Sequence, residues 1–211
     1  MNSKERMQKT IQILKKEHKH LKPALNYSNV WELLVSVILS AQCTDVRVNI
    51  VTKDLFKKYK IIEEYANADL KELRQVVRST GFYRNKAKNI KATAQIVLKE
   101  FNGKVPSTME ELLTLKGVAR KTANIVLGNW FGKNIGIAVD THVMRLSQRL
   151  DFSKHKDPKK IEQDLMQLVP KKDWTNITHL LIFHGRKICV ARKPKCNECS
   201  LNKICPSAFK V

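Results

Sequence analysis

The chain has 211 residues and a formal net charge of +21, and 43% of its residues are hydrophobic. This length fits one compact domain or two small lobes, which excludes a large multidomain assembly. The hydrophobic content is sufficient for a buried core and excludes a generally disordered chain. The positive charge points first to a polyanionic partner, although a lysine-rich surface can also reflect solubility or genomic base composition.

The sequence shows no sign of secretion or membrane insertion. The N-terminus is charged from Lys4 onward and lacks the apolar run of a secretory signal. The longest apolar stretch, Val30 to Ala41, is interrupted by Glu32 and is too short to span a bilayer. We therefore expect a soluble, intracellular protein that does not associate with a membrane.

Helical periodicity dominates the chain. Apolar residues recur at spacings of three and four over residues 4–20, 30–40, 45–60, 69–79, 85–101, 120–131, 141–150, 158–168 and 173–187. The one strand-like piece runs from Ile135 to Val139, and sustained alternation is absent. We expect an all-α protein, with a boundary near residue 134 where the chain crosses this apolar piece before a new helix.

A helix, a tight turn and a second helix are predicted between Leu112 and Ala123. The N–H groups that open the second helix have no partners within it and point toward any anion placed there. Such a cradle would hold the DNA backbone without reading its sequence, although the same turn is also an ordinary connection between helices. The candidate DNA contacts in this hairpin are Lys116, Gly117, Val118, Ala119 and Arg120.

Four of the five cysteines crowd into one short segment, as Cys189, Cys196, Cys199 and Cys205. Four thiolates so close together indicate one shared metal group, and a disulfide framework is disfavoured in a reducing compartment. The spacing, with Pro206 directly after the last cysteine, favours a 4Fe–4S cluster. Zinc is the alternative. Cys43 stands alone in an apolar helix end, where we expect it to pack as a small hydrophobic residue.

Basic side chains surround this cysteine segment. Arg192, Lys193 and Lys195 lie between its first two cysteines, and Arg186 precedes them. Part of this charge would neutralise a cluster bound by four thiolates. The remainder favours a cationic loop that the metal group folds and that meets the phosphate backbone of DNA.

The combination of motifs closely resembles the endonuclease III family of DNA glycosylases. The likeness runs from about residue 25 to residue 206, with the motifs in the family's order. Besides the hairpin and the cysteine segment, it rests on Leu39 to Asp45, Ile137 to Val143 and His184 to Arg186.

The resemblance implies two helical lobes with a DNA-binding cleft between them. One lobe is a six-helix domain over residues 23–134 that contains the helix–hairpin–helix motif. The other is a discontinuous iron–sulfur cluster domain formed by residues 1–22 and 135–211. The implied partner is double-stranded damaged DNA, bound by a monomer with no small-molecule cofactor beyond the cluster.

The resemblance also assigns roles to three residues. Lys121 matches the family's nucleophilic lysine, Asp140 its essential aspartate and Gln42 the residue that fills the gap left by an everted nucleotide. Lysine is the residue type that can form a Schiff base with the sugar, and a carboxylate stabilises positive charge at the sugar carbon. The implied enzyme removes oxidised or saturated pyrimidines and then cleaves the abasic site by β-elimination.

Each of these residues also has a structural interpretation. Lys121 would then be a surface lysine at a helix start, Asp140 a helix N-cap and Gln42 a polar helix cap, and Asp140 could be both catalytic and an N-cap. Two departures from the family pattern are Lys116, where proline is usual, and Ala119, where a second glycine is usual.

Two other functions are compatible with the motifs. One is excision of mismatched thymine or uracil on the same scaffold. The other is a noncatalytic DNA-binding module, which would need neither Lys121 nor Asp140.

Overall fold

The computed structural model describes residues 1–18 and 24–211, which are helices and connecting turns with no strand among them. The all-α prediction is thus confirmed. The α-helices are α1 (Ser3–Glu17), α2 (Val30–Ser40), α3 (Asp45–Lys58), α4 (Ile62–Asn67), α5 (Leu70–Val76), α6 (Tyr83–Phe101), α7 (Met109–Thr114), α8 (Arg120–Asn129), α9 (Thr141–Arg149), α10 (Pro158–Leu168) and α11 (Trp174–Lys187). Short 3₁₀ helices occupy Arg78–Thr80, Lys171–Asp173, Cys196–Glu198 and Asn202–Ile204. Within the described ranges, no helix is both long and apolar enough for a bilayer span.

The strand-like piece at residues 135–139 forms no strand. Ile137, Ala138 and Val139 are buried, and the Ala138 carbonyl accepts a hydrogen bond from the Thr178 hydroxyl on α11 at 3.2 Å. The segment is therefore buried against a helix rather than paired with a neighbouring strand. Its short run of apolar residues reflects burial and not a β-ladder.

The chain divides into two compact units. We call Pro23–Lys133 the continuous unit, and Met1–Lys22 together with Asn134–Val211 the discontinuous unit. The sequence-based boundary at residue 23 lies outside the described residues. At the other boundary Asn134 groups with the discontinuous unit, where its side-chain oxygen accepts a hydrogen bond from the Thr175 hydroxyl at 2.6 Å.

The continuous unit contains α2 to α8 around one apolar core. Helix α2 is buried along most of its length because it packs against α3, α6 and α8. The described part of this unit has seven α-helices, whereas the resemblance implied a six-helix domain. The region before α6 holds two short helices because the Asp69 side chain accepts a hydrogen bond from Glu72 N at 2.9 Å and begins α5 separately from α4.

The discontinuous unit joins the N-terminal helix to the C-terminal part of the chain. Helix α1 packs against α10 and α11, and α9 packs against α10 and α11. Polar contacts reinforce this association, since the Arg6 guanidinium donates to the Leu150 carbonyl at 3.0 Å and Lys15 pairs with Asp173 at 2.5 Å. The core of the unit includes Leu201 from the cysteine segment, which ties that segment to the helices.

Candidate functional site

The hairpin between α7 and α8 is a tight turn that is stabilised by a hydrogen bond within the turn and by another from α6. Gly117 has φ +77°, and Val118 N donates to the Leu115 carbonyl at 3.3 Å. The Thr93 hydroxyl on α6 donates to the Lys116 carbonyl at 2.8 Å. The Val118 side chain is buried, so it packs against the core of the continuous unit instead of facing solvent.

Helix α8 begins without a side-chain cap. Ala119, at the N-cap, makes no capping hydrogen bond, whereas a side chain caps each of α1, α2, α3, α9 and α10. The Ala119 side chain therefore accepts none of the N–H groups in the first turn of α8, and groups of this kind at a helix start can bind an anion such as a phosphate. Ala119 has φ −96°, an extended conformation that alanine adopts without strain, so the family's usual glycine is not required here for backbone freedom.

Lys121 lies in this uncapped first turn. Its side chain is exposed, while the next two residues, Thr122 and Ala123, are buried and anchor the helix. The fold therefore exposes Lys121 to solvent in the turn that directly follows the hairpin.

Replacing Gly117 with alanine is expected to lower the free energy of unfolding through two effects. The left-handed conformation costs an alanine roughly 1–2 kcal/mol. A Cβ atom would also lie 2.7 Å from the Asn89 Nδ2 atom and 3.0 Å from its Cβ. Gly132→Ala is the matched control, since Gly132 has φ +64° and nothing within 4 Å of an added Cβ. Chemical denaturation should show a greater loss for Gly117→Ala, and equal losses would contradict close packing at the hairpin.

Asp140 is the N-cap of α9, as its sequence context predicted. Its Oδ1 atom accepts hydrogen bonds from His142 N and Val143 N, both at 2.8 Å. Because both bonds use the same oxygen, capping does not require Oδ2. The buried residues just before Asp140 hold this half-buried carboxylate at the start of the helix.

Two arginines of α9 hold the start of the cysteine segment, a role that sequence analysis missed. Arg145 Nη2 donates to the carbonyls of Gly185 at 2.8 Å and Cys189 at 3.0 Å. Arg149 Nη1 donates to the Val190 carbonyl at 2.8 Å and to Cys189 Sγ at 3.2 Å. The available sequence signal was their spacing of four, which puts both on one face of α9. The same helix therefore carries Asp140 at one end and contacts the cysteine segment at the other.

The structure brings the four clustered cysteines together around one recess in the discontinuous unit. The five cysteines of the chain form no disulfide. Four thiols around one recess form the usual donor set of a 4Fe–4S cluster.

Several groups contact the cysteine sulfur atoms. Besides Arg149, Phe209 N donates to Cys196 Sγ at 3.5 Å, and His184 Nε2 lies 3.4 Å from Cys199 Sγ. Such contacts are usual around cluster thiolates. Burial raises the pKa of the Cys199 thiol to about 11, so a metal must displace its proton on binding.

The predicted basic loop is exposed. The side chains of Arg192, Lys193 and Lys195 face solvent, as does Arg186 at the end of α11. Lys195 lies 3.6 Å from Glu198, a surface pair that contributes little to stability. Because Arg149 also donates to the Ala191 carbonyl at 2.9 Å, the loop has a fixed base from which these cations project.

Gln42 lies in the turn between α2 and α3. It is exposed and has φ +52°, a left-handed conformation that is uncommon for a residue other than glycine. The preceding helix ends at Ser40, and the Thr44 side chain caps the next one by accepting from Arg47 N at 3.3 Å. Cys43 packs against the core of the continuous unit, as expected, and lies far along the chain from the other four cysteines.

The predicted site residues fall into two groups. Gln42, the hairpin and Lys121 belong to the continuous unit, whereas Asp140, the basic loop and the clustered cysteines belong to the discontinuous unit.

Comparison with known proteins identifies the family. Residues 35–171 match the HhH-GPD superfamily of base excision DNA repair proteins, and residues 189–205 match the iron–sulfur binding domain of endonuclease III. The chain is 52% identical over 207 residues to endonuclease III of Synechocystis, covering 98% of this chain and 94% of the relative. It is 49% identical over 192 residues to endonuclease III of Bacillus subtilis, covering 90% and 87%.

A solved structure has the same fold. It shows a trapped covalent intermediate of endonuclease III and DNA, in an estranged-adenine complex. The TM-score is 0.94 at 42% identity, with 100% of this chain and 99% of that chain covered. A thermostable thymine-DNA glycosylase, with a TM-score of 0.86 over 98% of this chain and 97% of that chain, is 24% identical and shares the fold. The chain therefore belongs to the endonuclease III family of base-excision-repair DNA glycosylases with abasic-site lyase activity, and it carries a 4Fe–4S cluster.

Proposed function

We propose that this enzyme removes oxidised or saturated pyrimidines from double-stranded DNA and cleaves the resulting abasic site through a Schiff base on Lys121. The observation that carries the proposal is the exposed Lys121 on the uncapped first turn of α8. The related endonuclease III that was trapped covalently on DNA supports a nucleophile in the same fold. The enzyme acts as a monomer and needs no small-molecule cofactor beyond its cluster.

In this proposal the reaction uses two side chains, the amine of Lys121 and the carboxylate of Asp140. As the bond between base and sugar breaks, positive charge develops at C1′, and the Asp140 carboxylate stabilises it. The base leaves with the electron pair of that bond, and the Lys121 nitrogen forms a new bond to C1′. The bond from C1′ to O4′ then breaks and O4′ takes up one proton from the nitrogen, which opens the sugar ring and leaves the protonated Schiff base. Loss of a proton from C2′ then expels the 3′ phosphate by β-elimination.

The remaining predicted residues bind DNA in this proposal. The N–H groups of the hairpin and the exposed cations of Arg192 and Lys193 hold phosphates, which positions DNA without reading its sequence. Gln42 enters the gap left by the everted nucleotide. Base eversion costs a few kcal/mol of stacking, and an inserted side chain offsets part of that cost.

We assign the cluster to the four cysteines that line the recess, with Cys199 as one ligand. The donor set fits, because four thiolates are the usual ligands of a 4Fe–4S cluster. When bound, the cluster cross-links the C-terminal segment and so stabilises the basic loop between Cys189 and Cys196. The excision steps use the chain's own amine and carboxylate.

Cys199→Ser is expected to lower the iron content of the purified protein, because serine is a poor ligand for the cluster. Cys43→Ser is the matched control, since Cys43 packs against the other unit's core. It should retain about four iron atoms per chain with an unchanged visible absorption spectrum. Equal iron content in the two variants would contradict the ligand assignment.

A panel of duplexes, each with one defined lesion, tests the substrate class. Base release and strand cleavage are scored separately for oxidised and saturated pyrimidines, for thymine and uracil mismatches, and for undamaged DNA. We expect both products on oxidised or saturated pyrimidines. Preferential release of mismatched thymine or uracil would overturn the proposed substrate class. Strand cleavage at a preformed abasic site tests the lyase step independently.

A further inference from the structure

Lys86 is a buried cation for which the catalytic mechanism has no use. Only 5% of this residue is exposed, although it is a lysine on α6. Its Nζ atom donates to the Leu39 carbonyl at 2.8 Å and to the Thr80 carbonyl at 2.7 Å. Burial lowers the pKa of Lys86. Both acceptors are neutral backbone groups, so the structure keeps a costly buried amine to join two separate segments.

Both acceptors lie at the ends of helical segments. Leu39 is in the last turn of α2, and Thr80 ends the 3₁₀ helix Arg78–Thr80. Carbonyls at such ends lack partners within their own helix and carry partial negative charge. Helix α2 has no basic residue in its own last turn. Lys86 therefore caps two helical ends at once, from a third helix.

Each capped end leads directly into a turn with unusual backbone geometry. Gln42, three residues after Leu39, has φ +52°, and Phe82, two residues after Thr80, has φ +47°. Both side chains are exposed. Non-glycine residues persist in this conformation when surrounding contacts hold them there. The Lys86 amine supplies such a contact at the base of both turns.

We propose that Lys86 is a positioning residue for lesion capture: it ties the two turns together and holds Gln42 ready to enter the DNA duplex. The inference rests on the proposed inserting role of Gln42. Lys86 itself, buried beneath the turns, acts only through them. Its loss leaves Gln42 present but poorly placed.

Lys86→Met tests this inference, because methionine keeps an unbranched apolar stem and removes the amine. Lys91→Met is the matched control: Lys91 is also on α6, and its Nζ donates to the Ala68 carbonyl at 2.7 Å, at the end of α4. We expect the single-turnover excision rate at saturating DNA to fall about 10- to 100-fold in Lys86→Met. Affinity for undamaged DNA and strand cleavage at a preformed abasic site should match those of the control. Equal excision rates in the two variants would overturn the inference.

A double-mutant cycle with Gln42→Ala separates the two proposals. If Lys86 acts through Gln42, the double variant excises no more slowly than the slower single variant. If the reductions in excision rate of the two single variants multiply in the double variant, Lys86 acts by another route. That result would overturn the inference about Lys86 and leave the proposed role of Gln42 intact. A normal excision rate in Gln42→Ala would instead remove the inserting role on which the inference rests. If Lys86→Met does not fold, Lys86→Gln carries the same cycle, because its amide can still donate to one carbonyl.

Discussion

Lys121→Ala should abolish trapping of the enzyme on damaged DNA by borohydride and lower strand cleavage by ~10³-fold or more. Borohydride reduces a Schiff base to a stable amine, so a covalent product requires the lysine that forms the imine. Because the Lys121 side chain is exposed and the helix is anchored by Thr122 and Ala123, its truncation should leave the fold intact. The measurement is the yield of cross-linked complex on a denaturing gel, with thermal unfolding in parallel.

Lys99→Ala is the charge-matched control for this variant. Lys99 is exposed on α6 of the same unit, so both variants lose one surface cation. Its trapping yield should equal that of the parent enzyme. A covalent adduct formed at the parental yield by Lys121→Ala would assign the nucleophile to another residue.

Asp140→Asn should reduce base excision by about 10²- to 10³-fold with almost no loss of stability. Asparagine is as good an N-cap as aspartate, and the cap needs only the oxygen that accepts from His142 N and Val143 N. The substitution thus removes the negative charge from the reaction while α9 keeps its first turn. The readouts are the single-turnover rate of base release and the midpoint of thermal unfolding.

Two further variants distinguish the effect of the Asp140 charge on excision from the effect of its N-cap on stability. Asp157→Asn makes the same change at α10, where Asp157 Oδ1 accepts from Lys159 N and Lys160 N, both at 3.0 Å. It should leave excision unchanged. Asp140→Ala should lose excision and also about 1 kcal/mol of stability, because the cap is lost. Excision by Asp140→Asn at the parental rate would remove this carboxylate from the mechanism.

The structure explains how the chain accommodates its two departures from the family's hairpin pattern. Ala119 has an extended backbone, so its methyl group adds no conformational strain. Lys116 is exposed, and the Thr93 hydroxyl holds its carbonyl from α6, which supports the turn in the absence of proline. Gly117 is the hairpin position where a positive φ and close packing both require glycine.

Features that depend on neighbours in the chain were readable from the sequence. Helix formation follows from apolar spacings of three and four, and the Asp140 cap follows from the residues that directly succeed it. The cysteine segment was equally clear, because its ligands lie close together in the chain. Local pattern was less informative at the strand-like piece, residues 135–139, where a short apolar run is buried against α11 and pairs with no strand among the described residues.

Contacts between distant residues were decided by the tertiary structure alone. Lys86 reaches a carbonyl 47 positions away, and Arg149 reaches a sulfur atom 40 positions away. In sequence both are ordinary basic residues on amphipathic helices, indistinguishable from the exposed lysines around them. Their roles arise because helix packing places them beside carbonyls and sulfur that accept hydrogen bonds, and no periodicity along one helix specifies what packs against it. The sequence thus determined the helices and the candidate functional residues on them, whereas long-range packing decided which other side chains position those residues.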